Sequence, residues 1–301
     1  MSGFHRELRF RAQLLPRFTL GPRLLRALRW ANGRMPLFSG APDVDARIAS
    51  VGGVRACVFR PRGRTEALPV LVWFHGGGFV VGTPVQDAPA CARLARDLGI
   101  AVVAPFYRLA PEHPFPAALD DAWALLAAIG EVGARADRIA IGGMSAGGGL
   151  AAQLALRMRD RGGPKPVLQL LVYPMLDDRT VLRTDVDETH LRLWGVESNR
   201  FGWRSYLGAE PGGSDTPAGA VPARAASLAG LPPAWIGVGT HDLFHDEDVA
   251  YARRLEAAGV PCALEVIEGA YHGFDAVSPG APVTRRFRES REAVLREALV
   301  G

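Results

Sequence analysis

A run of small residues around one serine constrains the fold of this chain more than any other feature. Residues 138–144 open with the strand-like run Arg-Ile-Ala-Ile, Ser145 stands between Gly143 and Gly147, and an alanine- and leucine-rich run continues to Met158. This order predicts a strand, a sharp turn and a helix. A serine at the tip of such a turn has its backbone pressed against neighbouring elements, so side chains two residues before and after it would collide with them. The pattern predicts that Ser145 is a nucleophile, although glycines after a strand also make ordinary tight turns.

Alternating strand-like and helix-like runs from Val54 onward predict an α/β fold with a mostly parallel sheet. Two of the runs are continuously apolar, as strands covered on both faces should be. The 301 residues fit one domain that carries an insertion. Strands are predicted at Val54–Phe59, Val70–Phe74, Ile100–Ala104, Val167–Val172, Ala234–Val238 and Ala263–Ile267. Helices are predicted at Ala117–Ile129, after Ser145, at Asp246–Ala258 and at Val283–Leu299.

Two segments fall outside this alternation. One is an N-terminal part, residues 1–45, and the other is an insertion within the catalytic domain, residues 46–301. The first holds a basic amphipathic helix that begins near Pro22, with leucines opposite arginines, and then a linker rich in glycine and proline. Such a helix either packs on its own domain or lies on a membrane. The second, about residues 177–210, carries Trp194 and Trp203 and is predicted to form part of a lid.

Composition excludes several classes of function. The formal net charge is +4, and beyond an N-terminal cluster the arginines are spread along the chain, so nucleic-acid binding gains little support. No apolar run is long enough to span a bilayer, and no secretory signal pattern is present. The three cysteines, Cys57, Cys91 and Cys262, lack metal-ligand spacing and are predicted to be free thiols, which suits a cytoplasmic location.

Glycine-rich backbone directly follows the predicted strand at Val70–Phe74. The run is His75-Gly-Gly-Gly-Phe79, and its lack of side chains lets N–H groups approach a ligand oxygen closely. An H-G-G-G loop of this kind acts with the N–H of the residue after the nucleophile, which here is Ala146. His75 is predicted to brace the loop rather than to exchange protons with a substrate.

An acid and a histidine follow two later strands. Asp242 lies nearest the end of the predicted strand at Ala234–Val238 and suits the acid that orients an imidazole, and His272 follows the last strand. The acids at 246–248 have another explanation, because carboxylates at a helix start interact favourably with its dipole. His241 and His245 are predicted to make local contacts, with a metal site left open. The chain order Ser145, Asp242, His272 is the order expected of an α/β-hydrolase triad.

Together these motifs resemble the hormone-sensitive-lipase-like branch of the α/β-hydrolases, from about Val54 to the C-terminus. The resemblance also rests on the run from Tyr107 to Ala118, which is expected to brace the scaffold through its prolines and a pairing of Arg108 with Glu112. It implies a central, mostly parallel eight-stranded sheet flanked by helices, with a helical cap built from the N-terminus and the 177–210 insertion. It further implies that oxyanion hydrogen bonds come from the backbone N–H groups of Gly77, Gly78 and Ala146.

One residue departs from the family pattern. The family commonly has Asp or Thr directly before the nucleophile, whereas this chain has Met144, which cannot make their hydrogen bonds. The prediction that Ser145 is the nucleophile does not depend on the residue before it. The subgroup and the pocket polarity that are usual in the family, however, cannot be carried over to this chain.

The sequence therefore predicts a serine carboxylesterase that acts on short- to medium-chain acyl esters without a metal or an organic cofactor. Its expected partner is a small-molecule ester; stable membrane association is not expected, and a homodimer is possible because sheet edges often pair. Amide or lactone hydrolysis on the same triad stays open as an alternative. A non-catalytic small-molecule binding protein is a more distant one, since such proteins usually lack a triad member.

Overall fold

The structure is a computed structural model that describes residues 3–16 and 19–301. Residues 1, 2, 17 and 18 of the predicted N-terminal part lie outside these ranges. Within the described chain, one sheet contains eight strands. They are β1 (Val44–Val51), β2 (Val54–Pro61), β3 (Leu68–Phe74), β4 (Ala101–Pro105), β5 (Ala134–Met144), β6 (Leu168–Val172), β7 (Ala234–His241) and β8 (Cys262–Tyr271).

Helices connect and cover these strands, with short 3₁₀ turns in several of the remaining connections. The helices of the described residues are α1 (Arg9–Leu14), α2 (Pro22–Asn32), α3 (Ala88–Leu98), α4 (Ala117–Ala127), α5 (Ala146–Arg161), α6 (Val196–Leu207), α7 (His245–Ala257), α8 (Phe274–Val277) and α9 (Pro282–Val300). The predicted strands and helices are all present, and most of their ends differ by one or two residues from the prediction.

The strand order is β1-β2-β4-β3-β5-β6-β7-β8. Both β1–β2 and β2–β4 are antiparallel pairs, whereas every pair from β4–β3 to β7–β8 is parallel. The predicted eight-stranded, mostly parallel sheet is confirmed. Strand β1 was not predicted, because it is an edge strand that is buried only at its two end residues and so lacks the alternation of a half-buried strand. The carboxyl ends of the parallel strands all lie at one edge of the sheet, where the loops that follow them can form a site.

Side chains from the two faces of the sheet enter two separate apolar layers. In β3, Val70 and Val72 pack into the layer formed with α4, α5 and α7, whereas Leu71 and Trp73 pack into the layer formed with α3 and α9. This division follows from the two-residue period of a strand. Burial on both faces explains why β3 reads as a continuous apolar run.

The cysteines make no disulfide in the described residues, in agreement with the predicted free thiols. Cys57 and Cys91 are buried and Cys262 is partly buried. Burial raises the pKa of the Cys57 thiol to about 11, so this sulfur stays protonated at neutral pH.

The amphipathic helix α2 packs against the rest of the chain, which is the first of the two predicted alternatives. Arg29 turns inward from it and donates from Nε to the carbonyl oxygen of Val80 over 2.7 Å and from Nη2 to that of Ala110 over 2.5 Å. Arg23 and Arg26 face the solvent. No helix within residues 3–16 or 19–301 has the length and apolar composition needed to cross a bilayer.

The predicted pairing of Arg108 with Glu112 is wrong. Arg108 instead pairs with Asp121 of α4 at 2.8 Å, and Glu112 pairs with Arg29 of α2 at 2.7 Å. The two residues are close in sequence, but each has a better-placed partner on a different helix. The run between them therefore joins α2 to α4.

Candidate active site

Ser145 stands at the junction of β5 and α5 with φ 55° and ψ −125°. Its N–H donates to the carbonyl oxygen of Val172 in the neighbouring strand over 2.9 Å. A Cβ added at Gly143 would lie 2.4 Å from the carbonyl oxygen of Phe74, and one added at Gly147 would lie 2.1 Å from it. Neither position can hold a side chain unless the backbone moves. The predicted strand, sharp turn and helix are therefore present, and the glycines stand where the turn requires them.

Hydrogen bonds join Ser145, His272 and Asp242 in one line. The distance from His272 Nε2 to Ser145 Oγ is 3.1 Å, and the distance from His272 Nδ1 to Asp242 Oδ2 is 2.8 Å. Asp242 Oδ1 also accepts from the N–H of Phe244 over 3.0 Å, which orients the carboxylate. A proton on Nδ1 satisfies the carboxylate and leaves Nε2 free to accept from the serine hydroxyl. All three side chains are buried at the edge of the sheet where β5, β7 and β8 end.

Two aromatic rings contact the imidazole of His272. The ring of Tyr173 lies 4.7 Å from it between centroids, at an interplanar angle of 61°. The ring of Phe244 lies 5.3 Å from it at 85°. Neither contact was predicted from the sequence. Together they restrict rotation of the ring that bridges the serine and the carboxylate.

The glycine-rich loop after β3 lies beside the serine in a conformation that side chains would not allow. Gly77 has φ 126° and Gly78 has φ 59°. An added Cβ would lie 1.9 Å from the carbonyl oxygen of Val81 at the first position and 2.2 Å from the ring of Trp194 at the second. Ala146 is the first residue of α5, so its N–H has no carbonyl group one turn earlier to which it could donate. Backbone donors on both sides of the serine are thus available to an anionic oxygen.

His75 braces this loop, as predicted. Its ring stacks on Tyr107 with 4.2 Å between centroids, and its Nδ1 lies 2.8 Å from the carbonyl oxygen of Gly76. The hydroxyl of Tyr107 donates to the His75 carbonyl oxygen over 2.8 Å. Burial lowers the pKa of His75 to about 4, so the ring is neutral at ordinary pH. Its role is to hold the loop in shape.

An apolar cavity of about 290 Å³ opens beside Ser145 and His272. Part of its wall comes from the N-terminal part, through Leu20 and Leu28, and part from the insertion, through Leu193 and Trp194. Met144, the residue that departs from the family pattern, also lines the cavity, and its Sδ lies 4.0 Å from the hydroxyl oxygen of Tyr173. A thioether there makes the wall less polar than a carboxylate would.

Glu247 has a role that the helix-dipole interpretation did not reveal. Its Oε1 accepts from the N–H of Leu176 over 2.7 Å and of Asp177 over 3.1 Å, and its Oε2 accepts from the hydroxyl of Thr180. Burial raises the pKa of this carboxyl well above its usual range, opposed by these hydrogen bonds. The side chain fastens the segment after β6 to the start of α7. No local sequence pattern predicts these contacts, because the groups that donate to Glu247 lie 67 to 71 positions earlier in the chain.

The histidines near Asp242 make local contacts, as predicted. His241 stacks on His190 with 4.5 Å between ring centroids, and Nδ1 of His245 lies 2.7 Å from Oδ1 of Asp246. Within the residues that the structure describes, no group of three or more histidine, cysteine, aspartate or glutamate side chains is arranged to hold a metal ion.

Comparison with known proteins identifies the family. Residues 71–276 match a family described as having the alpha/beta hydrolase fold. Esterase LipI of Mycobacterium tuberculosis is 38% identical over 237 residues, which cover 77% of this chain and 74% of that protein. Carboxylesterase NlhH of the same species is 34% identical over 296 residues, which cover 92% of this chain and 85% of that protein.

A solved structure is similar along almost the whole length. The chain of a bacterial heroin esterase superposes with a TM-score of 0.87 at 34% sequence identity, covering 99% of this chain and 98% of that one. The chain therefore belongs to the α/β-hydrolase fold family and, within it, to the hormone-sensitive-lipase-like esterases whose motifs it carries.

Proposed function

We propose that this chain is a serine carboxylesterase that hydrolyses short- to medium-chain acyl esters through an acyl-enzyme intermediate. The observation that carries the proposal is the line of hydrogen bonds from Ser145 through His272 to Asp242, next to an apolar cavity. Relatives named esterase and carboxylesterase favour an ester as the bond that is broken.

In the acylation half of the reaction, Nε2 of His272 takes the hydroxyl proton as Oγ of Ser145 attacks the ester carbonyl carbon. The carbonyl oxygen becomes an oxyanion, and the N–H groups of Gly77, Gly78 and Ala146 stabilise it. His272 then gives its proton to the departing alcohol oxygen as the carbon–oxygen bond breaks. Asp242 stabilises the imidazolium that forms between these two steps.

The second half releases the acid. Nε2 of His272 takes a proton from water, whose oxygen attacks the acyl carbon on Ser145, and the imidazole then returns that proton to the serine oxygen. The products are a carboxylic acid and the original enzyme. Every proton in the scheme moves between groups of this chain, the substrate and water.

We also propose that the N-terminal residues 1–45 and the insertion 177–210 act as a cap over the site. Both contribute to the wall of the cavity. The insertion also reaches the glycine-rich loop, since the ring of Phe79 stacks on that of Tyr206 in α6 with 3.9 Å between centroids at 12°. A cap built in this way would set which acyl and alcohol groups fit.

A small-molecule ester is the proposed partner, and the three free thiols accord with a cytoplasmic location. A homodimer formed through a sheet edge is supported by the partly exposed apolar side chains of Leu264 and Val266 on the edge strand β8. Light scattering after size-exclusion chromatography would measure the mass of the particle, and a monomer at every concentration would contradict the dimer.

The deciding experiment measures hydrolysis of aryl esters of increasing acyl length, and of the matching anilides, by the wild type, Ser145→Ala and Ser290→Ala. Ser290 is a partly buried serine of α9, outside both the candidate site and the proposed cap, and serves as the matched control. Ser145→Ala should lose ester hydrolysis by a factor of about a thousand or more while keeping its fold. Turnover near the wild-type rate in that variant would exclude Ser145 as the nucleophile. Faster hydrolysis of anilides than of esters would favour the amidase alternative.

A further inference from the structure

Leu193 and Trp194 form a partition between two cavities. One is the 290 Å³ cavity beside Ser145. The other has a volume of about 340 Å³, and Glu188, Glu197 and Ser198 contribute polar groups to its wall. Both Leu193 and Trp194 line both cavities. Side chains that border both cavities are in a position to limit how far a substrate extends from the serine.

The backbone at Leu193 has a conformation that leucine rarely adopts. Its φ is 63°, and the N–H of Trp194 donates to the carbonyl oxygen of Arg192 over 2.7 Å, which closes a three-residue γ-turn. Positive φ in a residue with a branched side chain costs conformational free energy and persists where the surrounding structure imposes it. The leucine at this turn borders the catalytic cavity.

Trp194 is held firmly by its own contacts. Its indole Nε1 donates to Oδ1 of Asn199 over 3.3 Å, and its ring lies so close to Gly78 that a Cβ added there would be 2.2 Å away. The side chain is also buried, with 7% exposure. Removing this ring would disturb the glycine-rich loop. Of these two residues, Leu193 is therefore the one whose side chain can be shortened without disturbing the glycine-rich loop and its backbone N–H donors.

Leu193 lies on the histidine side of the site. A Cβ added to Gly273, the residue after His272, would be 2.9 Å from Cδ1 of Leu193. In the proposed mechanism His272 protonates the leaving oxygen, so the alcohol portion of the ester must lie within hydrogen-bond reach of this imidazole. The acyl chain leaves the carbonyl carbon in a different direction.

We propose that Leu193 limits the length of the alcohol portion of the ester, so that the enzyme favours esters of short alkyl alcohols over those of long ones. This inference rests on the proposed esterase function. With the leucine side chain shortened, the catalytic cavity joins the second cavity, and longer alcohols gain a place to extend.

The test compares two ester series on the wild type, Leu193→Ala, Leu193→Gly and Leu191→Ala. One series varies the alcohol from ethyl to octyl with acetate constant, and the other varies the acyl chain with ethanol constant. Leu191 belongs to the same segment and lines the second cavity but not the catalytic one, so it is the matched control. The glycine variant keeps the test valid if the alanine variant misfolds, because glycine adopts positive φ without strain.

In both Leu193 variants, the ratio of kcat/KM for octyl acetate to that for ethyl acetate should rise about tenfold or more, since each methylene that gains a place in a pocket adds to the discrimination. The ratio in Leu191→Ala should stay at the wild-type value, and the acyl series should change little in all variants. An unchanged alcohol ratio in folded Leu193→Gly would overturn the proposal, and so would a shift confined to the acyl series or an equal shift in Leu191→Ala. A wild type that hydrolyses no ester in either series would instead contradict the proposed function.

Discussion

The hydroxyl of Tyr173 donates a hydrogen bond of 2.7 Å to Oδ1 of Asp275, and the same tyrosine packs its ring against His272. Tyr173 follows β6 with φ 35°, and its N–H donates to the carbonyl oxygen of Gly237 over 2.7 Å. Burial raises the pKa of the phenol well above its usual range, so the hydroxyl keeps its proton and acts as the donor. A buried carboxylate thereby fixes a ring that in turn supports the imidazole.

Tyr173→Phe should lower kcat more than it raises KM. The ring stays, but its hydroxyl no longer fixes it, and Asp275 is left buried without that donor, which costs about 1.5–3 kcal/mol of stability. Looser support of His272 should reduce kcat by about tenfold, equivalent to about 1.4 kcal/mol in the barrier. Steady-state kinetics and chemical denaturation measure the two effects. A kcat equal to that of the wild type would show that the hydrogen bond serves stability alone.

The sequence predicted the parts of the site that are local in the chain. Ser145, Asp242 and His272, which the structure brings together, could be predicted as neighbours because each follows a strand-like run and because parallel strands end at the same edge of a sheet. The glycines around Ser145 could be interpreted for a similar reason, since a sharp turn needs small residues at fixed spacings. Residue type and position at the end of a strand are both readable from a single sequence, so site residues that depend on these two properties can be predicted from it.

The sequence did not predict the contacts that join distant segments. Tyr173 and Asp275 are 102 residues apart, and Arg29 and Val80 are 51 residues apart, so no local pattern links them. The incorrect pairing of Arg108 with a nearby glutamate arose from the same limit. Which acid an arginine meets is decided by how helices pack, and helix packing is a property of the folded chain.

Arg29→Ala should loosen α2 from the glycine-rich loop. Its guanidinium donates to the carbonyl oxygens of Val80 and Ala110, and each of these partly buried hydrogen bonds is worth about 1.5–3 kcal/mol. Its ion pair with exposed Glu112 contributes about 1 kcal/mol at most. Because Leu28 of the same helix lines the cavity, KM should rise by about three- to tenfold with a smaller change in kcat. Arg26→Ala, on the solvent side of α2, is the control and should leave KM unchanged. Equal KM values for both variants would contradict a capping role for α2.

Gly78→Ala should reduce activity by about a hundredfold or more, the usual effect of losing one oxyanion donor. Its φ of 59° disfavours alanine, and the added Cβ would overlap the buried ring of Trp194 at 2.2 Å. Gly53→Ala is a close control, because Gly53 also has positive φ, 80°, but nothing lies within 4 Å of its added Cβ. The control therefore separates backbone strain from the clash. Similar kcat values for the two variants would show that catalysis does not depend on the exact position of the glycine-rich loop.

Asp87 makes the stability of the fold depend on pH. Its side chain is buried and Oδ2 accepts from Trp73 Nε1 over 3.0 Å. Burial raises the pKa of Asp87 to about 7, with nearby Asp275 acting in the same direction and the Trp73 hydrogen bond opposing it. The pKa of an unfolded aspartate is about 3.9, so between these two values the folded state binds the proton more tightly. The contribution of this group to stability is present below about pH 4 and is lost as the pH rises through about 7.

Asp87→Asn should therefore be more stable than the wild type at pH 8 and should show a weaker fall in the free energy of unfolding between pH 5 and pH 8. Asparagine is neutral throughout this range, and its amide oxygen can still accept from Trp73. Asp137→Asn is the control: the hydrogen bond from Arg135 lowers the pKa of exposed Asp137, so its titration lies below this window. Urea denaturation at four pH values across the window measures the slopes. Parallel slopes for wild type and Asp87→Asn would show that the buried carboxyl does not titrate there.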